Sequence, residues 1–206
     1  MKIKRLFYST LVMLLVAGCA TMDKSECREA DWQMIGLEDG ARGRLVSYVG
    51  NHREACAEYG VTPDLASYER GHANGVREFC TDSNGFRLGR AGRRYNGVCP
   101  TGLQGQFLAA YETGRELYQL SSDISRLQRD VNDMQEELAA LTEQHQGVET
   151  MLVSAALSVK DRKILLDRFK QLQSQIAGLE IDIRDFELEA ARRQGEYDVL
   201  NAAHGY

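Results

Sequence analysis

The chain has 206 residues, with 30 acidic and 25 basic side chains and a formal net charge of −5. An acidic chain is a poor candidate for binding nucleic acid or anionic lipid over its whole face, because affinity for phosphates comes from clustered Lys and Arg side chains. Its length allows one good core, or a small domain followed by an extension.

The N-terminal segment predicts export and lipid attachment. Three basic residues among the first five precede a mostly apolar run over residues 6–16, which is typical of a secretory signal and too short for a spanning helix. The run ends in Leu-Val-Ala-Gly-Cys at residues 15–19, which resembles a bacterial lipobox. The resemblance implies that residues 1–18 are a lipoprotein signal peptide and that the Cys19 thiol carries a diacylglycerol. The alternative is an ordinary signal peptide followed by a chance cysteine.

The same resemblance implies where the protein resides. Residues 19–26 would form a lipidated tether, with palmitate among the acyl chains. Ala20 follows the lipid-bearing cysteine in place of the aspartate that retains such lipoproteins in the inner membrane. We therefore expect an outer-membrane protein that is lipid-anchored and faces the periplasm, although the sequence leaves exposure at the cell surface open.

Four cysteines remain after Cys19: Cys27, Cys56, Cys80 and Cys99. An even number in a short exported chain predicts two disulfides. Of the three possible pairings, the one in chain order, first with second and third with fourth, closes the shortest loops and is slightly favoured. The rival interpretation is a zinc site that includes His52 or His72, but no Cys-x-x-Cys occurs. We expect no metal and no cofactor.

Residues 27–115 form a predicted small domain that holds most of the glycines and both prolines. Helices are expected at residues 27–36, 51–60 and 62–80, with an Asn side chain capping the second and a Thr side chain capping the third. The composition changes near residue 116, where the predicted second part begins.

Glycines in this domain follow a repeated spacing. They are four and then three residues apart in residues 36–43, and again in residues 85–92. On a helix each Gly costs about 1 kcal/mol relative to Ala, which predicts that a second backbone or an aromatic ring comes close. The motif Tyr-x-x-Gly at residues 68–71 recurs at 111–114, so an aromatic-over-glycine packing unit is expected to recur. The spacing does not match the dinucleotide-binding fingerprint.

Cysteines, glycines and aromatic residues occur in a distinctive order: Cys27, Trp32, Gly36, Asp39, Gly40, Cys56, Gly60, Tyr68, Gly71, Cys80, Gly85, Gly89, Tyr95, Gly97, Val98, Cys99, Pro100, Tyr111 and Gly114. This order resembles a family of proteobacterial lipoproteins known only as a domain of unknown function. The resemblance covers about residues 27–115, and its most specific piece is Tyr-x-Gly-Val-Cys-Pro at residues 95–100. It implies an envelope location and a cysteine-tied small domain, and it transfers no functional residue.

Four arginines fall within eight residues: Arg87, Arg90, Arg93 and Arg94. Guanidinium groups suit phosphates and carboxylates, so this predicted basic loop is a candidate site for anionic envelope components. Lipid headgroups, lipopolysaccharide phosphates and peptidoglycan carboxylates are the candidate ligands. The alternative, which we favour, is that the arginines pair with acids of the domain or face solvent.

Residues 116–203 predict an antiparallel coiled-coil hairpin. Apolar residues alternate at spacings of three and four from Leu117 to Leu141 and again from Leu165 to Leu200, where only Arg193 departs from the pattern. The pattern loosens over residues 145–157, where we expect the turn between the arms. The alternative is one long parallel coiled coil between two chains.

The outward face of the hairpin holds a candidate contact site. The g positions of both arms are mostly acidic and only Arg168 is complementary, so the apolar seam must explain the pairing. Ile181 and Leu188 lie seven residues apart and off the seam. They are either stray surface residues or a contact strip for a third helix or a second copy.

Together these patterns predict a mainly α protein, with a small disulfide-tied Gly-rich helical domain followed by a long antiparallel coiled-coil hairpin. We expect a cell-envelope lipoprotein that acts as a structural or protein-interaction module. Its expected partners are the membrane, through the lipid, and an envelope protein or a second copy, through the hairpin, with no nucleic acid. Neither Gly-x-Ser-x-Gly nor His-Glu-x-x-His occurs, so we do not expect an enzyme.

Overall fold

The computed structural model describes residues 22–153 and 156–204, and the predicted signal peptide and Cys19 lie outside these ranges. The described residues form seven α-helices and one 3-10 turn and contain no strand, so the predicted mainly α fold is confirmed. The elements are α1 (Lys24–Arg28), α2 (Trp32–Ala41), the 3-10 turn (Val46–Tyr48), α3 (Val49–Ala57), α4 (Leu65–Phe79), α5 (Asp82–Arg90), α6 (Thr101–Leu152) and α7 (Val159–Ala203). Within the described ranges, none of these helices is long and apolar enough to cross a bilayer.

The chain divides into two compact units that alternate along the sequence. The first unit contains the residues up to Asn84 together with Tyr95–Phe107, and the second contains Gly85–Arg94 and the chain from Leu108 onward. Helices α5 and α6 therefore each contribute to both units. The change in composition near residue 116, which suggested a single boundary, falls inside the continuous helix α6.

The single helix expected over residues 27–36 is wrong, because two helices occupy this region. α1 begins at a capping box, in which Asp23 accepts a hydrogen bond from the Glu26 N–H at 2.9 Å and donates its own N–H to the Glu26 carboxylate. The Asp31 carboxylate then accepts from two backbone N–H groups of the first turn of α2, both at 3.0 Å. An aspartate at this position starts a new helix more favourably than it continues an old one.

Two predicted N-caps are also wrong. Asn51 lies inside α3, which begins at Val49 and directly follows the 3-10 turn. Asp64, rather than Thr62, caps α4 through a hydrogen bond that its carboxylate accepts from the Ser67 N–H at 3.1 Å. The carboxylate is a strong acceptor for the unpaired N–H groups of a first helical turn, and its charge suits the positive end of the helix dipole.

Two disulfides tie the first unit together. Cys27 joins Cys56 and Cys80 joins Cys99, with Cα–Cα distances of 5.5 and 5.6 Å. This is the pairing in chain order that the loop lengths slightly favoured. Each bond closes a loop of about 20–30 residues, which contributes ~3 kcal/mol in the chain-entropy model.

The repeated glycines form a stripe along one side of each helix, and at the first stripe the predicted close approach occurs between α2 and α4. A Cβ atom added to Gly36 would overlap the carbonyl oxygen of Tyr68, and one added to Gly71 would overlap that of Gln33. The two helices therefore pack backbone against backbone. The stripe ends at Gly43, which has a φ of 73° and lies under the ring of Phe79.

The second unit repeats this arrangement between α5 and α6. A Cβ added to Gly89 would overlap the carbonyl oxygen of Tyr111, and one added to Gly114 would overlap that of Phe86. Gly92, with a φ of 66°, lies under the ring of Tyr118 in the same way as Gly43 lies under Phe79. The predicted recurrence of an aromatic-over-glycine packing unit is confirmed.

Helices α6 and α7 form the predicted antiparallel pair. The rings of His145 and Phe169 pack with their centroids 4.2 Å apart, and the Arg168 guanidinium donates to the Gln144 side-chain oxygen at 2.9 Å. Continued along both helices, this register places the buried Leu172 opposite Leu141. The heptad seam therefore fills the interface, as its spacing predicted.

The break expected from residue 145 onward is wrong. α6 continues to Leu152, because His145, Val148 and Leu152 extend the seam at its usual spacing and Val148 is buried. The chain then turns, and Ser158 caps α7 by accepting from the Asp161 N–H at 3.1 Å. An imidazole ring that packs on an aromatic neighbour fills a seam position in place of an aliphatic side chain.

Candidate functional site

The most polar part of the first unit's interior surrounds Asp39 of α2, which is 2% exposed. Its Oδ2 accepts a hydrogen bond from the Tyr68 hydroxyl at 2.9 Å and lies 2.7 Å from Nε2 of His52. Its Oδ1 accepts from the Arg44 guanidinium at 2.7 Å. One carboxylate thus connects α2, α3 and α4, and we call these four residues the Asp39 cluster.

Hydrogen bonding keeps the buried carboxylate charged. Burial alone would raise the pKa of Asp39, but hydrogen bonds from His52 and Tyr68, together with nearby positive charge, outweigh it and place the pKa below its ordinary value. Burial, with a further contribution from Asp39, raises the pKa of the Tyr68 hydroxyl. Tyr68 therefore remains a neutral donor to an ionised acceptor.

A cavity of about 490 Å³ opens beside the Asp39 cluster. The two arginines that line the cavity already have partners within the protein. Arg42 forms an ion pair with Glu38 at 3.0 Å. Arg44 forms an ion pair with Asp39, and its guanidinium lies 4.0 Å from the centre of the Tyr48 ring. The charged groups of the cavity therefore do not favour an anion. His52 also lines this cavity, and its buried Nδ1 has no hydrogen-bond partner among the described residues.

The chemistry of the Asp39 cluster supports a structural role. An Asp–His pair activates a nucleophile when a hydroxyl or thiol lies within reach of the imidazole. Here the Tyr68 hydroxyl is bound to the same carboxylate, and Cys56, on the same helix as His52, is in a disulfide. The cluster therefore joins the three helices α2, α3 and α4 through hydrogen bonds to one carboxylate.

One feature of the sequence points to a buried polar group at this position. Asp39 lies directly before Gly40, in the glycine-rich stripe that predicted close packing. A carboxylate on a helix that packs so closely is expected to have buried polar partners. The identity of those partners depends on the tertiary fold.

The histidines proposed as zinc ligands have other partners. His52 belongs to the Asp39 cluster, and Nε2 of His72 lies 2.7 Å from the carbonyl oxygen of Arg44. The cysteines that would complete such a site are joined in the two disulfides. The structure therefore places the ligands of this rival interpretation in separate contacts within the fold.

The prediction that the four arginines lie in a loop is wrong. Arg87 and Arg90 lie in helix α5, and Arg93 and Arg94 follow its end. Leu88, between the two helical arginines, is buried, and the neighbouring Gly89 lies against the backbone of α6. Close packing on α6 makes this stretch helical, and all four arginine side chains remain exposed.

Arg90 has a structural role within the second unit. Its guanidinium donates to the Asn201 side-chain oxygen at 2.8 Å and to the Tyr197 hydroxyl at 2.9 Å. These two contacts join the C-terminal end of α7 to α5. The Arg90 side chain is therefore occupied by contacts within the protein.

The predicted contact strip lies exposed on α7. Ile181 is 49% exposed and Leu188 is 63% exposed, whereas the neighbouring seam residue Ile183 is buried. The strip therefore contributes nothing to the seam between α6 and α7. Its role as a contact site stays a prediction.

One edge of the hairpin brings acidic residues together. The bond between Gln144 and Arg168 joins two g positions, and the same register places Asp130 opposite Asp182 and Asp123 opposite Glu189. Arginines on the same arm compensate, and hydrogen bonds from Arg192 and Arg193 lower the pKa of Glu189 to about 2. The apolar seam therefore holds the arms together, as the charge pattern predicted.

Residues 31–116 match the model of a family described as a protein of unknown function (DUF2799). The match includes both glycine-packed helix pairs and the Asp39 cluster, and it ends within α6. No curated protein and no solved structure matches the chain significantly. The match is consistent with a family of unknown function over this part of the chain, and it assigns no activity.

Proposed function

We propose that this chain is a lipid-anchored cell-envelope protein whose helical hairpin presents a long face to a protein partner. The observation that carries the proposal is the pairing of the 52-residue α6 with the 45-residue α7 along an apolar seam, with further apolar residues left outside the seam. At 1.5 Å per residue, α7 is roughly 65–70 Å long. Such a pair offers a long surface and few concave sites.

Ile181 and Leu188 are the proposed contact residues. They lie one heptad apart, so they project from the same side of α7. Fully burying an aliphatic side chain of this size contributes about 1.5–3 kcal/mol, and the exposed part of each of these two would contribute roughly half of that to a contact with a further helix. A partner helix or a second copy of this chain would both fit such a strip.

The test is photocrosslinking in living cells. A photoreactive residue at Ile181 or Leu188 is expected to give a discrete protein adduct, while one at the exposed Gln175 on another side of α7 is not. Arg94 serves as the comparison site for ligand binding, because Arg90 is occupied by contacts within the protein. Equal adducts from every position, or none from the strip, would contradict the proposal.

The anchor has a separate test. Export and acylation at Cys19 are supported by the lipobox-like sequence at residues 15–19. The wild-type chain is expected to incorporate labelled palmitate and to fractionate with the outer membrane, and Cys19→Ser is expected to lose the palmitate label. Persistent labelling of the Cys19→Ser variant would refute the anchor at this position.

A second function is binding of anionic envelope components through the arginines around the end of α5. The observation that favours it is the exposure of Arg93 and Arg94, which follow the helix. Salt-sensitive binding to lipopolysaccharide or peptidoglycan that is lost in Arg93→Gln/Arg94→Gln would support it. Unchanged binding in that variant would refute it.

A further inference from the structure

The most exposed apolar side chains of the described residues lie at the turn end of the hairpin. Val153, just after α6, is 80% exposed, and Val159, the first residue of α7, is 89% exposed. Met151 on the last turn of α6 is also exposed. The heptad seam closes with Leu152, so these side chains contribute nothing to the pairing of the two helices.

Lysines alternate with apolar residues along the first turns of α7. Val159, Lys163, Leu166 and Lys170 follow one another at spacings of four, three and four residues, which places them on one side of the helix. All four are exposed, whereas the seam residues Leu165 and Phe169 on the other side are half-buried. This mixed strip is therefore separate from the seam.

The charge of this end differs from the rest of the hairpin. Beyond residue 24, the chain's only lysines are Lys160, Lys163 and Lys170, and all lie within the first turns of α7. None of them takes part in an ion pair with another described residue. Further along the hairpin, the paired g positions are acidic. Positive charge and exposed apolar surface thus coincide at one end.

Hydrogen bonds satisfy backbone groups at the two helix ends that flank the turn. The Arg162 guanidinium donates to the carbonyl oxygen of Leu152 at 2.8 Å, which satisfies one of the last carbonyls of α6. Ser158 caps the first turn of α7. Val159 therefore projects outward from a capped helix start.

We propose that the turn end of the hairpin binds the surface of a bilayer that contains anionic phospholipids. Aliphatic side chains can enter the interface between headgroups and acyl chains, while lysine stems lie along it and their ammonium groups reach the phosphates. Protein interfaces are instead depleted in Lys and enriched in aromatic residues, and no aromatic side chain belongs to this strip. The proposal does not depend on acylation of Cys19.

The experiment uses flotation of the full chain with vesicles. Every protein carries Cys19→Ser, so that no acyl chain is attached and the N-terminal segment contributes equally in each arm. The vesicles contain phosphatidylglycerol mixed with phosphatidylcholine, or phosphatidylcholine alone. Each lysine near an anionic surface strengthens binding about fivefold, so Lys160→Gln/Lys163→Gln/Lys170→Gln is expected to lose about a hundredfold on the anionic vesicles. Lys24→Gln is the matched control and is expected to bind as the parent does.

A second measurement uses tryptophan fluorescence to test whether the turn end of the hairpin enters the bilayer surface. Val159→Trp is expected to shift its fluorescence to the blue with anionic vesicles, and Val199→Trp, which replaces a similarly exposed valine elsewhere on α7, is expected not to shift. Circular dichroism checks that all variants keep their helices. Equal binding by the triple lysine variant, or equal spectra from the two tryptophan variants, would overturn the proposal. Self-association that Val159→Ser abolishes, without vesicle binding, would overturn it in favour of a second copy.

Discussion

Replacing Gly71 by alanine gives a sharp test of the backbone contact between α2 and α4. Alanine is favoured over glycine inside a helix by about 1 kcal/mol, so propensity alone predicts a more stable protein. At Gly71, however, the new methyl group would overlap the backbone carbonyl of Gln33, which cannot rotate away. Overpacking costs about 1–3 kcal/mol, and a rigid obstacle places the cost at the upper end, for a net loss of about 2 kcal/mol.

The chain offers a matched control and a local probe for this prediction. Gly147 also lies inside a helix, but nothing lies within 4 Å of the position its Cβ would occupy. Gly147→Ala is therefore expected to stabilise its own helix and to leave the first unit unchanged. Trp32, the chain's single tryptophan, lies on α2 and packs against the buried cluster formed by Met22, Cys27 and Cys56.

The assay is urea unfolding followed by the fluorescence of Trp32. This emission reports on the first unit, whereas circular dichroism is dominated by the two long helices. Gly71→Ala should lower the midpoint of the transition and Gly147→Ala should not change it. A midpoint that is unchanged or raised in Gly71→Ala would refute the inference that the glycines are required by the backbone contact.

Three further predictions concern other parts of the structure. The pKa of Asp39 is lowered in the folded protein, so the stability that its carboxylate contributes to the fold is complete above its ordinary pKa of about 4 and is lost as pH falls through the lowered value. Asp39→Asn should lower the free energy of unfolding by about 3 kcal/mol at neutral pH. It should also flatten the acid dependence of stability, measured by unfolding followed by Trp32 fluorescence. The buried Nε2 of His145 has no hydrogen-bond partner among the described residues, so His145→Leu should stabilise the hairpin by about 1 kcal/mol in thermal unfolding followed by circular dichroism, and a lower midpoint would contradict this reasoning. Arg90→Gln should speed amide hydrogen exchange in the last turns of α7, because it removes the contacts to Tyr197 and Asn201, while Arg94→Gln should leave that exchange unchanged.

Periodic features of the sequence predicted the larger elements correctly. The alternation of apolar residues from Leu117 and from Leu165 predicted both arms and their antiparallel pairing, because a heptad seam needs a partner seam and a turn joins them. The even number of cysteines predicted two disulfides. The glycine stripes predicted close contacts, since glycines repeated along a helix are unfavourable unless another backbone requires the space.

The exact starts of two helices and the continuation of α6 past His145 were less predictable from the sequence. Helix starts at Asp31 and Asp64 were missed because Asn51 and Thr62 are also acceptable caps, and only the packing of the helices selects among them. His145 was expected to break the seam, yet its ring packs on Phe169 across the hairpin. In each case the deciding contact lies outside the local sequence.

The sequence by itself determined the helical class, the hairpin and the glycine contacts, because each depends on spacing along one helix. Only the tertiary structure decided the Asp39 cluster, which joins residues of three different helices around one carboxylate. It also decided that the arginine-rich stretch is a helix, because the glycines of α5 pack against α6. The spacing of residues along a helix determines which side chains lie on the same face, and only the tertiary fold determines which other residues that face contacts.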